Sequence, residues 1–448
     1  ALGAMTAVAV MALGALTLVP ALLTWLGPRI NALGLPRRSQ QSVSFGGERF
    51  WGRWARMIMQ RPGRWAALSV ALLLLLAAPV TQLNLALDTG TSDSGQQSAG
   101  IGREILEREF NEGRISPLQV VYVSHDGPLD SADLDAIARL SELITNDYAA
   151  VSVTSVTTLL DQFVGNHSVE TLALAATFPQ VVEASGDLIN VNSGSDVAVI
   201  RAVPRWSPDS PGPLELVERV RDTMVPNVLE SQGVDAEVVV GGLSAQIVDI
   251  TAESLRKLPV VVGLVVVLSF VLLALVFRSI AIPIKAILMN VLGIAAAYGL
   301  LVVVFQEGAG SRLFDFQATG STQVYLPLLT FAVLFGLSMD YEVFLLGRIK
   351  EEWENTGDNT TAVVRGLQRT GAVITTAAAI MVTVFAAFTF ARLTEVKTLG
   401  FSLAAAVLID ATLIRIILVP AAMQLLGRWN WWFPVWLDQR LPRIDLEE

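Results

Sequence analysis

The chain of 448 residues contains no cysteine, which excludes disulfides, zinc–thiolate centres and thiol catalysis. Histidine is nearly as scarce. His125 and His167 have no ligand-like neighbours in the sequence and read as surface residues. No Gly-x-x-x-x-Gly-Lys-Ser/Thr loop occurs, so nothing points to ATP as the energy source. The net charge is −10, the wrong sign for a nucleic-acid-binding face. Charged residues make up only 16% of the chain, against about 25% in a soluble domain. A basic leader followed by a cleavage site is also missing. Residues 1–28 are apolar from the start, and the chain reads as entered partway through.

In place of charge there are long apolar runs. Residues 1–28, 65–83, 258–277, 286–305, 316–339 and 370–391 carry no charge at all. About 18 or more consecutive apolar residues are enough to span a membrane, so a wholly soluble protein is excluded. Seven spans are expected, at about 1–27, 65–83, 258–277, 281–305, 323–347, 371–391 and 399–427. The charges are divided between regions. Residues 84–257 hold 26 acidic and 10 basic residues, and the remainder holds 15 and 21. Segments 28–64, 278–285, 348–369 and 428–448 together carry 17 Lys and Arg. The opposite loops carry only Arg312, Arg392 and Lys397. Positive charge stays in the cytoplasm, which places the acidic segment outside. The expected layout is a multi-pass inner-membrane protein. Its parts are a last span of a preceding repeat (1–27), a cytoplasmic linker with an interfacial helix (28–64), a first span (65–83), an extracytoplasmic domain (84–257), a five-span α-helical bundle (258–427) and a cytoplasmic tail (428–448).

The outer segment alternates strand and helix patterns. Strands are expected at 117–124, 151–157, 196–203 and 235–240. Helices are expected from an N-cap at Ser131 to about Asn146, at 213–231 and at 244–256. Two β-α-β units suggest split β-α-β sandwiches, an α+β domain. Residues 161–195 lack periodicity and read as a mobile hairpin or helix pair. Glu48–Arg61 places Phe50, Trp54, Met57 and Ile58 on one helical face with arginines towards the other. That pattern suits a helix in the headgroup layer or a packed cytoplasmic cap. The tryptophan-rich Arg428–Trp436 allows the same two readings. Leu18-Val19-Pro20-Ala21 with Leu26-Gly27 matches Leu418-Val419-Pro420-Ala421 with Leu426-Gly427, as in parallel transporter repeats.

Ionisable residues inside a membrane cost at least ~2.5–3.5 kcal/mol on insertion scales and mark function by default. Asp340 and Glu342 fall in the fifth span, Asp410 and Arg415 in the seventh. Asp340 shares a face with Gly336 and Phe344, and Tyr341 supplies a neighbouring hydroxyl, a pair suited to relaying protons. Glu342 reads as a cytoplasmic-gate or a structural residue. Asp410 and Arg415 are five apart, about 140° round an α-helix, so each is expected to pair with another helix.

Residues 321–427 resemble the last spans of the MMPL (mycobacterial membrane protein large) family, within the resistance–nodulation–division superfamily. The resemblance is carried by Gly336-Leu-Ser-Met-Asp-Tyr-Glu-Val-Phe-Leu-Leu346, Arg369-Thr-Gly-Ala-Val-Ile-Thr375 and Asp410-Ala-Thr-Leu-Ile-Arg415 running into Val419-Pro420-Ala421. It implies a porter-like outer domain and proton-driven export of lipids or other amphiphiles, with no cofactor beyond the proton gradient. It also implies an Asp-Tyr pair at Asp340 and Tyr341 that meets a matching pair in a first repeat, a partner this chain lacks. The wording of the fifth span is most similar to the subgroup that handles trehalose mycolates, which makes trehalose monomycolate a candidate cargo. The expected function is therefore lipid export rather than catalysis. The cargo path is expected where the outer domain meets the second and third spans, near Leu87 and Val261. An export-accessory protein of the same superfold is the alternative. An intramembrane aspartyl protease built on Asp340 and Asp410 is disfavoured, because Leu408-Ile409-Asp410 is not Gly-x-Gly-Asp.

Overall fold

The computed structural model describes residues 2–27, 37–86, 101–102, 105, 109–110, 112–175, 187–190, 193–316, 318 and 320–439. Among these, seven helical stretches are long and apolar enough to cross a membrane, as the apolar runs predict. The first, α1 (Leu2–Leu26), leaves its large side chains exposed, Trp25 and Leu16 among them. Helix α2 (Arg37–Gln60) does not lie free in a headgroup layer. It packs on the bundle through Gly52, Ala55, Ile58 and Met59, and Trp54 Nε1 donates to Ile416 O at 3.3 Å. Phe50 and Met57, expected on the apolar face, are exposed instead. The small residues Gly52 and Ala55 set this contact: a Cβ at Gly52 would lie 2.0 Å from the Gln368 side chain. Helix α3 (Pro62–Ala77) opens on a proline, whose missing N–H is harmless in a first turn, and leads into strand β1 (Leu85–Ala86).

The outer domain is one four-stranded antiparallel sheet backed by helices, in which the two expected β-α-β units form a single split β-α-β sandwich. Its parts are β2 (Leu118–Ser124), α4 (Ser131–Thr145), β3 (Ala150–Thr154), α5 (Val156–Phe163), α6 (Val169–Ala175), β4 (Val197–Pro204), α7 (Pro211–Arg219), α8 (Val225–Gln232) and β5 (Ala236–Gly241). The order is β3-β4-β2-β5, so the two β-α-β units interleave and the first strand of each is central. Alternation along β2 and β4 turns Leu118, Val120, Tyr122, Ala198, Ile200 and Ala202 towards the helices. Asp130, rather than Ser131, caps α4. Its extended backbone lets the carboxylate accept from Ala132 N and Asp133 N. The aperiodic stretch contains α6, and residues 176–186 and 191–192 lie outside the described residues.

The domain leads into the membrane through α9 (Leu243–Phe277), one unbroken helix where a helix and a separate span were expected. It runs through Pro259. A proline removes one backbone hydrogen bond but does not force a break where neighbouring groups compensate. The bundle continues with α10 (Ala281–Leu301), β6 (Thr322–Gln323), α11 (Tyr325–Thr356), α12 (Asn359–Phe388), α13 (Thr394–Ile409) and α14 (Val419–Leu426). Helix α10 is central and packs against α3, α9, α11 and α13. A Cβ at Gly299 would lie 1.8 Å from Leu76 O, so glycine lets the α10 and α3 backbones meet. Lys285, expected in a loop, lies in the second turn of α10 and is buried. The helix begins at Ala281, where the fourth span was expected, and Ser279 Oγ just before it accepts from Ile282 N at 3.2 Å. Strand β1 pairs in parallel with β6, Leu85 opposite Thr322. At the tail, Trp431 stacks on Trp353 while Trp429, Trp432 and Trp436 stay exposed.

Candidate functional site

The α-helical ladder of the last span does not run straight through. Residues Asp410–Leu418 form a π-helix between α13 and α14. Its i→i+5 repeat brings Asp410 and Arg415 onto one face, where α-helical geometry would hold them apart. The expectation that they point to different helices is thereby corrected. Arg415 Nε donates to Asp410 Oδ2 at 2.8 Å, and Nη2 lies 2.7 Å from the same oxygen. Arg415 does also reach a second helix: Nη2 donates to Ser338 O and, at 3.1 Å, to Ser338 Oγ on α11. Ser338 Oγ in turn donates to Asn290 Oδ1 on α10 at 2.7 Å.

The Arg415 guanidinium lies 5.2 Å from the centre of the Tyr341 ring, a cation–π contact, and its Nη1 has no hydrogen-bond partner. Tyr341 OH points to Met381 Sδ on α12 at 3.4 Å. Beside these groups lies a cavity of about 30 Å³ lined by Asn290, Ser338, Tyr341, Met381 and Asp410 among apolar residues. That is room for one or two waters. The chain can approach so closely here because position 293 is glycine, where a Cβ would meet Ile414 Cδ1 at 2.6 Å.

Asp340 and Tyr341 part company. One residue apart is about 100° of rotation, so Tyr341 enters the cavity while Asp340 lies on the open face of α11. Gly336 and Phe344 are exposed beside it, as the spacing predicts. Asp340 has no hydrogen-bond or ion-pair partner among the described residues. Glu342 is buried, 5% exposed, and faces Lys285 and Asn290 on α10. Ser338 lies one turn before it on the same face of α11. Lys285, Asn290 and Ser338 were missed: the first was counted as a loop charge, and single polar residues in apolar helices carry no spacing signal. Val261 is half-buried on α9, away from the cavity. Leu87 lies outside the described residues. Among the described residues no group of three or more His, Cys, Asp and Glu could hold a metal ion.

Comparison with known proteins adds the family. Residues 93–443 match the MMPL family. The "Mycolic acid-containing lipids exporter MmpL11" of Mycolicibacterium smegmatis is 34% identical over the whole of this chain and 43% of its own length. The "Heme uptake protein MmpL11" of Mycobacterium tuberculosis is 33% identical over the whole of this chain and 42% of its own. The "Trehalose monomycolate exporter MmpL3" of Mycolicibacterium smegmatis is 29% identical over 97% of this chain and 42% of its own. The chain thus spans about two fifths of the length of these relatives. With its seven apolar helices, its α+β domain and its match across most of its length, it is a multi-pass membrane protein and belongs to the MMPL family.

Proposed function

We propose that this chain is the second half of a proton-driven inner-membrane exporter of a lipid or glycolipid, with trehalose monomycolate as a candidate cargo. The observation that carries this reading is the polar network Asp410–Arg415–Ser338–Asn290 beside a small cavity in a mainly apolar bundle. Charges at that depth are costly and belong to ion or proton pathways. A proton crossing ~100 mV releases ~2.3 kcal/mol, enough to bias a two-state movement about fifty-fold. Asp340 and Tyr341 are the relay in this reading, with Asp340 meeting a partner group on a first-half repeat that covers the open face of α11. Positive-inside bias puts the outer domain in the periplasm or its equivalent. Two relatives are named for lipid export and one for heme uptake, which supports an amphiphilic cargo in general.

The test uses the full-length protein in proteoliposomes with an imposed pH gradient. Labelled trehalose monomycolate and heme are offered separately, and translocation and proton flux are recorded together. Asp340→Asn is expected to abolish gradient-driven transport while insertion and melting temperature stay near wild type. Near-full transport in that variant removes Asp340 from the mechanism. Transport of heme but not of the lipid would reassign the cargo.

A further inference from the structure

We propose that Glu342 is a second proton-carrying residue, positioned by Lys285, that links the Asp410–Arg415 cavity to the end of the bundle remote from the outer domain. The inference rests on the proton-driven reading above. Glu342 and Lys285 are 5% and 6% exposed and come from facing helices, α11 and α10. The groups around the Glu342 carboxyl are Lys285 and Asn290 on α10, and Arg415 and Asp410 on the π segment. Neither Glu342 Oε1 nor Lys285 Nζ has a hydrogen-bond partner. The two are therefore close enough to attract by charge but are not locked together. Asp410 and Arg415, by contrast, are bonded directly through two nitrogens. A buried ion pair that serves only to tie helices needs its hydrogen bonds filled to offset desolvation. This one leaves a carboxylate oxygen uncommitted and able to take a proton.

The pair also lies on a continuous line. Asp410 contacts Arg415, Arg415 contacts Ser338, Ser338 contacts Asn290, and Asn290 adjoins Glu342. Glu342 is two residues beyond Asp340, about 3 Å further along α11, towards Arg348 and Lys350. Lys285 is in the second turn of α10, near the same end. The step is a proton transfer in two parts. The Glu342 carboxylate accepts a proton arriving from the cavity and becomes the neutral acid. It then gives that proton to water at the bundle end and returns to the carboxylate. Lys285, facing it from α10, attracts the carboxylate back after each release.

The experiment measures proton flux by a trapped pH indicator in proteoliposomes of the full-length protein. The variants are Lys285→Met/Glu342→Gln together, Glu342→Asp, and Asp340→Asn as the reference. Removing both charges at once leaves no unpaired buried charge, so the double variant should insert and melt like wild type. Its flux should nonetheless fall by about a hundredfold, the worth of a positioned proton-transfer group. Glu342→Asp should retain flux with a shifted pH midpoint, because the shorter carboxyl sits farther from Lys285. Wild-type flux in the folded double variant overturns the relay and leaves the pair structural. Should the double variant not fold, an unchanged midpoint in Glu342→Asp overturns it instead. Loss of flux in Asp340→Asn with wild-type flux in the double variant sinks this inference alone. Wild-type flux in Asp340→Asn sinks the proton-driven reading, and the relay with it.

Discussion

Single residues in this chain change meaning with their partners. His167 read as a surface histidine, yet its Nδ1 lies 2.8 Å from Asp161 Oδ1 and its Nε2 3.3 Å from Asp135 Oδ1. Partial burial pulls its pKa down, but the hydrogen bonds and charges of Asp161 and Asp135 outweigh that and hold it above the usual histidine value. A raised value in the folded state means the protonated form is the stabilising one. The contribution is complete below the unfolded value of about 6.5 and is lost as pH rises through the folded value. Hydrogen exchange in Val156–Ala175 should therefore quicken as pH rises above about 6.5, beyond the intrinsic change. His167→Gln should remove that extra dependence, and if it persists His167 is not its source. The fifth-span motif made Asp340, Tyr341 and Glu342 legible because a charge in an apolar run stands out by itself. The divergence of Asp340 from Tyr341 was not legible, because spacing gives an angle and not the identity of the neighbour at that angle.

At the scale of elements, the sequence announced the spans through the lengths of their apolar runs, and the strands through alternation. It concealed the π-helix at Asp410–Leu418, because a one-residue change in hydrogen-bond register leaves no mark in hydropathy. It also concealed the clip between β1 and β6. Four residues pair there, too few to show a pattern. The clip is tightened by Thr322 N donating to Asn84 O at 2.8 Å, Gln306 Oε1 accepting from Asn84 N at 2.9 Å, and Gln306 Nε2 donating to Gln82 O at 2.7 Å. It joins the strand leading towards the outer domain to the segment that opens α11, the helix of Asp340. Through this pairing a displacement of α11 would reach β1 without travelling through α9. Thr322→Pro removes the central donor and adds no charge. On the proposed proton-driven export, the expected result in the full-length protein is proton flux within about twofold of wild type and lipid transport reduced by about tenfold or more, a loss of coupling worth ~1.4 kcal/mol. Parallel loss of both activities would show that the clip merely supports the fold.

For the whole molecule the deciding feature is what remains uncovered. Along α11 the exposed residues Leu329, Gly336, Asp340 and Phe344 form one stripe. Hydrocarbon against that stripe would leave the Asp340 carboxylate unpaired, at a cost of at least ~2.5–3.5 kcal/mol. The α9 surface around Val267 and Leu268, 58% and 60% exposed, has no such conflict, because no charged residue lies there and Leu264, Val271 and Leu272 beside them are apolar. In the outer domain the sheet face away from the helices is also open, with Val239 49% exposed. On the proposed reading, the α11 stripe and this sheet face are what a first-half repeat would cover, one in the membrane and one outside it. The two membrane faces should then behave differently towards a lipid-soluble maleimide. In the full-length protein, a cysteine at Gly336 should react about tenfold or more slowly than one at Leu268, since a packed helix interface with small residues excludes the reagent. The native chain contributes no competing thiol. Equal rates at the two positions would put lipid, not protein, against Asp340, and the carboxylate would have to be neutral there or reached by water. Slower labelling at Gly336 that is lost when residues 1–448 are expressed alone would identify the cover as another part of the full-length protein.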